Sequence, residues 1–243
     1  MNPLVLSILL IAISAFCSAS RLGSQAGGTR TSRDKSLSAT ATCYDGSTGS
    51  LVGSRSSRTS ILVSPDGGFR AYAESDAVAT GPECRNTSRL LIAPQDSQGF
   101  RVVLTVKPSS QAPGNGIDII DWSPSGHRLL LAQGFWQYGS DVGRSSVRIY
   151  DADSDKLSSE GLVDEAFSQR VGKKCAATFE PLGFSRNGNA VVKAKPYFDY
   201  GEDKAAENSC VQRESLWLVE YEIPAVHQLA YSYKTQQFSK VAP

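Results

Sequence analysis

Apolar and polar positions along this chain alternate in short runs of strand length, and turn-forming residues separate the runs. The pattern is clearest over residues 117–156, IDIIDWSPSGHRLLLAQGFWQYGSDVGRSSVRIYDADSDK. Residues 117–122 predict a strand, Ser123-Pro124-Ser125-Gly126 a turn, and 128–133 the antiparallel mate. Residues 146–150 form a third strand, ended by Asp151-Ala152-Asp153-Ser154-Asp155. The weakly patterned 156–167 is expected to hold a fourth. Pieces of the unit recur on both sides. Before it, strands at 60–63 and 69–73 flank Ser64-Pro65-Asp66-Gly67-Gly68, and strands at 89–93 and 101–106 follow. After it, 177–184 leads into Ser185-Arg186-Asn187-Gly188, with strands at 190–194, 215–222 and, outermost, 228–233.

The three turns begin at Ser64, Ser123 and Ser185, intervals of about sixty residues, which is the mark of a repeat array. Proline presets φ at the second turn position, Asp or Asn bonds the following backbone, and glycine tolerates positive φ. The repeats run over about 59–107, 117–167 and 177–233. Only 160–170 and 204–208 read as helix, each short.

Residues 4–16 are apolar over the length of a signal-peptide core, shorter than a membrane span, and Cys17-Ser18-Ala19 offers small residues for cleavage after Ala19. The expected organisation is a signal peptide (1–19), a flexible Ser/Gly-rich leader (20–42) too poor in large apolar residues to order itself, and one folded domain (43–243). The bulky Phe16 before Cys17 argues against lipid anchoring. The expected location is periplasmic or secreted, with no transmembrane segment.

A balance of 25 basic against 24 acidic residues supplies no concentrated positive field, so nucleic acid is not an expected partner. Four cysteines remain after cleavage: Cys43, Cys84, Cys175 and Cys210. In an exported chain this even number favours two disulfides, with three connectivities open. Cys43–Cys84 with Cys175–Cys210 closes the shortest loops and is preferred. A metal site is disfavoured, because no C-x-x-C occurs and neither histidine lies near a cysteine.

Val63-Ser64-Pro65-Asp66-Gly67, Trp122-Ser123-Pro124-Ser125-Gly126 with Ile149-Tyr150-Asp151, and the proline-less Phe184-Ser185-Arg186-Asn187-Gly188 resemble the TolB-type or WD-repeat-like β-propeller blade. The resemblance implies an all-β, propeller-like array of antiparallel four-stranded blades. Three blades are recognisable and closed propellers typically need four or more. The array therefore closes with a degenerate blade, stays open, or pairs with another chain.

A second repetition lies in the loops. Phe135-Trp136-Gln137-Tyr138-Gly139-Ser140-Asp141 is echoed by Tyr197-Phe198-Asp199-Tyr200-Gly201-Glu202-Asp203. Equivalent loops of stacked blades emerge on one face, so Phe135, Trp136, Tyr138, Asp141, Tyr197, Phe198, Tyr200 and Asp203 are the candidate site for a protein, peptide or glycan partner. The competing reading is that these aromatics pack between blades.

No nucleophile elbow, triad spacing, P-loop or cofactor motif is present. Asp151, Asp153 and Asp155 lack the closing Glu of a calcium loop. Asn86-Thr87-Ser88 is a glycosylation sequon, relevant in a eukaryotic host. The expected function is a non-catalytic exported binding or scaffold protein. The alternatives are a hydrolase of sugars or peptides, and an assembly subunit pairing through strand edges.

Overall fold

The uninterrupted run Leu129-Leu130-Leu131 is the clue to the architecture. A strand covered on one face alternates apolar with polar residues, whereas one covered on both has no reason to. In the computed structural model of the chain, all three leucines are completely buried. The structure describes residues 37–140, 143–171, 177–197, 211, 213–222, 225–232 and 237–240, all within one compact unit, Arg33–Pro243.

The described residues are all-β with one helix. In order come β1 (Leu37–Ala39), β2 (Arg55–Arg58), β3 (Leu62–Val63), β4 (Phe69–Thr80), β5 (Glu83–Pro94), β6 (Arg101–Val106), β7 (Gly114–Trp122), β8 (Arg128–Trp136), β9 (Gly143–Asp151) and β10 (Lys156–Leu157). They are followed by α1 (Leu162–Val171), β11 (Ala177–Phe184), β12 (Ala190–Pro196), β13 (Ser215–Glu220), β14 (Ala225–Ser232) and β15 (Gln237–Lys240). They make three antiparallel sheets: β2-β4-β5-β6 with β3 also on β4, then β1-β7-β8-β9-β10, then β11-β12-β13-β14-β15.

Each sheet has five strands where four were expected, and the fifth arises differently in each. In the first sheet the edge strand is split, with β2 on residues 74–77 of β4 and β3 on Arg70 and Ala71. In the central sheet the extra strand is β1, pairing Leu37–Ala39 with Ile119, Asp118 and Ile117. The expected leader is therefore ordered from Leu37, and Ala39 and Ala41 are buried. Small side chains let this thin segment slide between sheets, so low apolar content did not mean disorder. In the third sheet β15 extends past the strand expected to be outermost.

The stretch 156–167 departs furthest from its expected strand. Only Lys156 and Leu157 pair, with Asp151 and Tyr150, and the chain then turns into α1, which overlaps the 160–170 helix candidate. Leu162, Val163, Ala166 and Phe167 form its buried stripe. Phe167 packs against Phe179 and Trp217, each ring pair with centroids 4.6 Å apart. Asp164 and Glu165 in the first turn and Arg170 in the last complement the helix dipole. The 204–208 helix candidate lies outside the described residues.

The two faces of the central sheet feed two cores. Ile117, Ile119, Leu129, Leu131 and Tyr150 pack with Ala71, Ala73, Leu90 and Ile92 of the first sheet. Leu130, Val147 and Ile149 pack with α1 and with Phe179, Val192 and Val219 of the third. The remaining face of each outer sheet carries ion pairs: Arg89 with Glu74 at 3.3 Å and Asp76 at 2.9 Å, and Lys193 with Glu180 at 3.4 Å and Glu214 at 2.9 Å.

Between the first and central sheets sits a buried polar knot. Asn86 is fully buried; its amide donates to the carbonyl of Ala41 and to Ser75 Oγ at 3.4 Å, and its Oδ1 accepts from the Tyr138 hydroxyl. Asn115 donates to the Asn86 carbonyl at 2.6 Å, and Ser88 donates to the Asn115 carbonyl at 3.2 Å. The sequon asparagine is thus a structural node, with its amide facing inward. Cys43–Cys84 closes beside it, with Cα atoms 5.7 Å apart, as preferred from loop length. Cys175 and Cys210 lie outside the described residues.

Candidate functional site

The three repeated turns are built alike at atomic level. The N–H of Gly67, Gly126 and Gly188 donates to the carbonyl of Ser64, Ser123 and Ser185, each at 2.9 Å, and the glycines sit at φ +74°, +81° and +74°. Each serine hydroxyl then accepts from the returning strand: from Phe69 N–H at 2.9 Å, Arg128 at 3.0 Å and Asn189 at 3.2 Å. The third turn is one residue shorter, closing on Asn189 where the others close on Phe69 and Arg128. Losing the proline leaves the serine-anchored hydrogen bonds unchanged in kind.

These turns meet on one face. A Cβ at Gly126 would overlap the Asp66 carboxylate, so the first and second turns touch, and the φ of +81° there favours glycine. Between the second and third turns opens a cleft of about 500 Å³, lined by Ser123, Pro124, Ser125, His127, Arg128, Asp151, Asp153, Arg186, Asn187, Gly188 and Glu222. Its floor is Arg128, the first residue of β8, opposite Asp151 in the β8–β9 register. The guanidinium reaches Asp151 from Nε at 3.5 Å and Glu222 from Nη2 at 2.7 Å, and its carbon lies 5.1 Å from the centroid of the Tyr221 ring. Asp151 stays below the usual carboxylate range despite burial, because Ser154 and Arg128 bond its charged form.

His127 stands at the side of the cleft. Its Nδ1 lies 2.6 Å from Asp153 Oδ1, and its Nε2 lies 3.9 Å from Asp66 Oδ2. The hydrogen bond to Asp153, aided by the charges of Asp153, Asp66 and Asp151, raises its pKa above the ordinary histidine value. A raised folded-state pKa gives a stabilisation that is full below the unfolded value of about 6.5 and is lost as pH rises through the folded value. The imidazole resonances should therefore titrate above 6.5, and Asp153→Asn should bring the midpoint down. A wild-type midpoint at or below 6.5 would remove this ion pair from the account.

The Asp-rich turn spreads its carboxylates apart. Asp151 serves Arg128, Asp153 serves His127, and Asp155 serves Arg101 at 2.5 Å and the Tyr150 hydroxyl at 2.9 Å. Burial and the Asp155 contact push Tyr150 up to about 12. Among the described residues no cluster of ligating side chains could hold a metal.

Of the loop residues expected to form the site, Phe135, Trp136, Tyr138 and Tyr197 are described. Trp136 lies over Gly114 and Gly116, so closely that a Cβ at Gly114 would overlap its indole. Tyr138 packs against Tyr44 with centroids 5.0 Å apart and against Trp136 at 6.3 Å, and bonds Asn86. Phe135 carries the Arg144 guanidinium 4.8 Å from its ring centroid. All three rings are half-buried in intramolecular contacts, while Tyr197 is exposed. Asp141, Phe198, Tyr200 and Asp203 lie outside the described residues. Trp136→Ala should lower the melting temperature, at a cost of about 2–3 kcal/mol, below the range for a fully buried tryptophan. Calorimetry showing no loss would mean that the indole is not needed for packing.

The cleft residues Arg128, Asp151, Asn187 and Glu222 were not legible as a site. Their signal was the turn repetition itself, which reads first as architecture.

No family model matches the chain, and no curated protein matches it. Solved structures that resemble it include the AtxE2 isopeptidase in its apo form, with a TM-score of 0.39, 17% identity, and coverage of 85% of this chain and 31% of that one. A variant of the same isopeptidase with Astexin3-dC4 bound gives 0.39 and 16% with the same coverage. The chain thus spans about a third of their length. Among the described residues no helix is long and apolar enough to cross a membrane.

Proposed function

We propose that this chain is an exported, non-catalytic binding protein, a propeller-like array of three blades whose turn face is its recognition surface. The carrying observation is the polar cleft between two of three alike turns, on a face where charged side chains are held in place by neighbouring sheets. Support for export comes from the apolar N-terminal run and from the Cys43–Cys84 disulfide, which is compatible with an oxidising compartment. Support for the blade reading comes from the shared serine-anchored turn in each sheet and from the consecutive antiparallel order within it. Support for an open array comes from the ion pairs on the outer faces of the first and third sheets.

Trp136 and Tyr138 take a supporting role in this reading: their rings hold the far ends of β7 and β8 and the disulfide region together. The test begins with peptide and glycan arrays probed with the chain from Ser20 onward. Ser125→Trp and Asn187→Trp would fill the cleft from two exposed turns. Any partner retained by the wild type should be lost by these variants and kept by Trp136→Ala at temperatures where that variant is folded. Retention by both cleft-filled variants would refute the turn-face reading.

A further inference from the structure

The turn-face cleft contains a cation that already holds an exchangeable carboxylate. Arg128 is fixed from behind. Asp151, itself with a side chain only 14% exposed, binds Nε, the Tyr221 ring stacks alongside, and the backbone N–H is tied to Ser123 Oγ. The outward Nη2 is met at 2.7 Å by Glu222, whose side chain is 78% exposed and lies just beyond β13. The two carboxylates on this guanidinium are therefore unequal. One is part of the sheet, and the other reaches in from solvent.

We infer that the cleft binds a carboxylate group, with Glu222 occupying the ligand's position on Arg128 when the cleft is empty. This inference rests on the turn face being the recognition surface and names the chemistry recognised there. Exchange is cheap in this direction. An exposed ion pair contributes at most about 1 kcal/mol, and Glu222 regains full hydration when it swings away. Arg128 keeps two carboxylate partners throughout, so no part-buried charge is left uncompensated. A cationic ligand fares worse, because it must draw Glu222 from Arg128 or Asp153 from His127 with nothing to replace them on those cations, whereas a carboxylate replaces Glu222 like for like. Around Arg128, Ser125 and Asn187 supply the hydroxyl and amide groups that suit the polar neighbours of a carboxylate, and the cleft volume admits a few residues of peptide.

The shared chemistry fits a peptide C-terminus or a small organic acid, and the probes separate them. Acetyl-Ala-Ala with a free C-terminus, its C-terminal amide, and succinate would each be titrated into the disulfide-bonded chain at low salt. The Arg128 Nε–H resonance would report binding, and Glu222→Gln would be the comparison protein. This exposed substitution leaves the Arg128–Asp151 pair in place. An acid probe should bind, the amide should not, and Glu222→Gln should tighten acid binding by about two- to fivefold, as expected for removal of an exposed competitor. Binding of the peptide acid alone assigns a C-terminus, and binding of succinate as well assigns a free carboxylate. Equal binding of acid and amide, unchanged or weakened binding in Glu222→Gln, or no acid binding to that variant at millimolar probe would overturn the inference. A partner that is lost on cleft filling yet indifferent to Glu222→Gln would overturn the carboxylate assignment alone. A partner indifferent to cleft filling would overturn the turn-face reading itself.

Discussion

Asn86→Asp should be among the most damaging single substitutions in the chain, and its effect should depend on pH. The wild-type amide is fully buried, donates to Ala41 and Ser75, and accepts from Tyr138. Replacing its nitrogen by a carboxylate oxygen sets a negative charge against the Ala41 carbonyl, with no cation among its hydrogen-bonding neighbours. An uncompensated buried charge costs about 3–5 kcal/mol. For a chain of this size that is a fall of about 10 °C in melting temperature. The introduced carboxyl would have its folded pKa raised above about 3.9, so the penalty applies above that value and shrinks as pH falls towards it. Melting curves of both proteins at pH 4 and 7 would check this, with the gap between them narrower at pH 4. An equal and small gap at both would mean that the knot does not order this interface. The same burial implies that a glycan could be attached at Asn86 only before β1 and the Ala41 segment dock.

Removing the disulfide should cost a comparable amount through the unfolded chain. Cys43 and Cys84 are 41 residues apart in sequence, and chain-entropy reasoning assigns a crosslink of that span about 4 kcal/mol. The bridge also anchors the N-terminal strap. β1 contributes three residues of pairing to the β7 edge, and the chain from Ala39 to Cys43 fills the seam between sheets. Three paired residues are too few to hold a strand alone, so without the crosslink the strap should open locally before the body unfolds. The double substitution Cys43→Ala and Cys84→Ala isolates this bridge from the other cysteines. Its expected signature is a melting temperature about 10 °C lower, with amides of 37–41 exchanging faster than those of β8. An unchanged melting temperature, or uniform loss of protection, would show that the strap is held by its own packing.

What could be read in advance follows from which interactions are local. Serine-anchored turns, glycine at positive φ and short apolar runs are written within a few residues, so the hairpins at 64–67, 123–126 and 185–188 were legible, whereas α1 (Leu162–Val171) overlaps a stretch that also read as a fourth strand. The Cys43–Cys84 pairing followed from loop length. Partnerships set by distant contacts were not legible. Ala39 and Ala41 read as leader because alanine is a weak signal, yet their small size is what lets the strap enter a seam 80 residues away in sequence from its partner strand. Trp136 and Tyr138 read as a binding surface because aromatic loops often are. Their half-buried rings also contact Gly114, Asn86 and Tyr44, none of which the loop's own residues announce. The cleft was hidden for a related reason. Arg128, Asp151 and Glu222 come together only when the second and third turns are brought side by side.

The turn face and the aromatic end of the central sheet lie at opposite ends of β8, so the location of binding decides between them. Amide and side-chain resonances should be mapped as a partner from the peptide and glycan arrays is titrated into the chain. The largest changes should fall on Ser125, His127, Arg128 and Asn187, with Phe135, Trp136 and Tyr138 unmoved. Changes centred on the three aromatics, with the turns silent, would contradict the account.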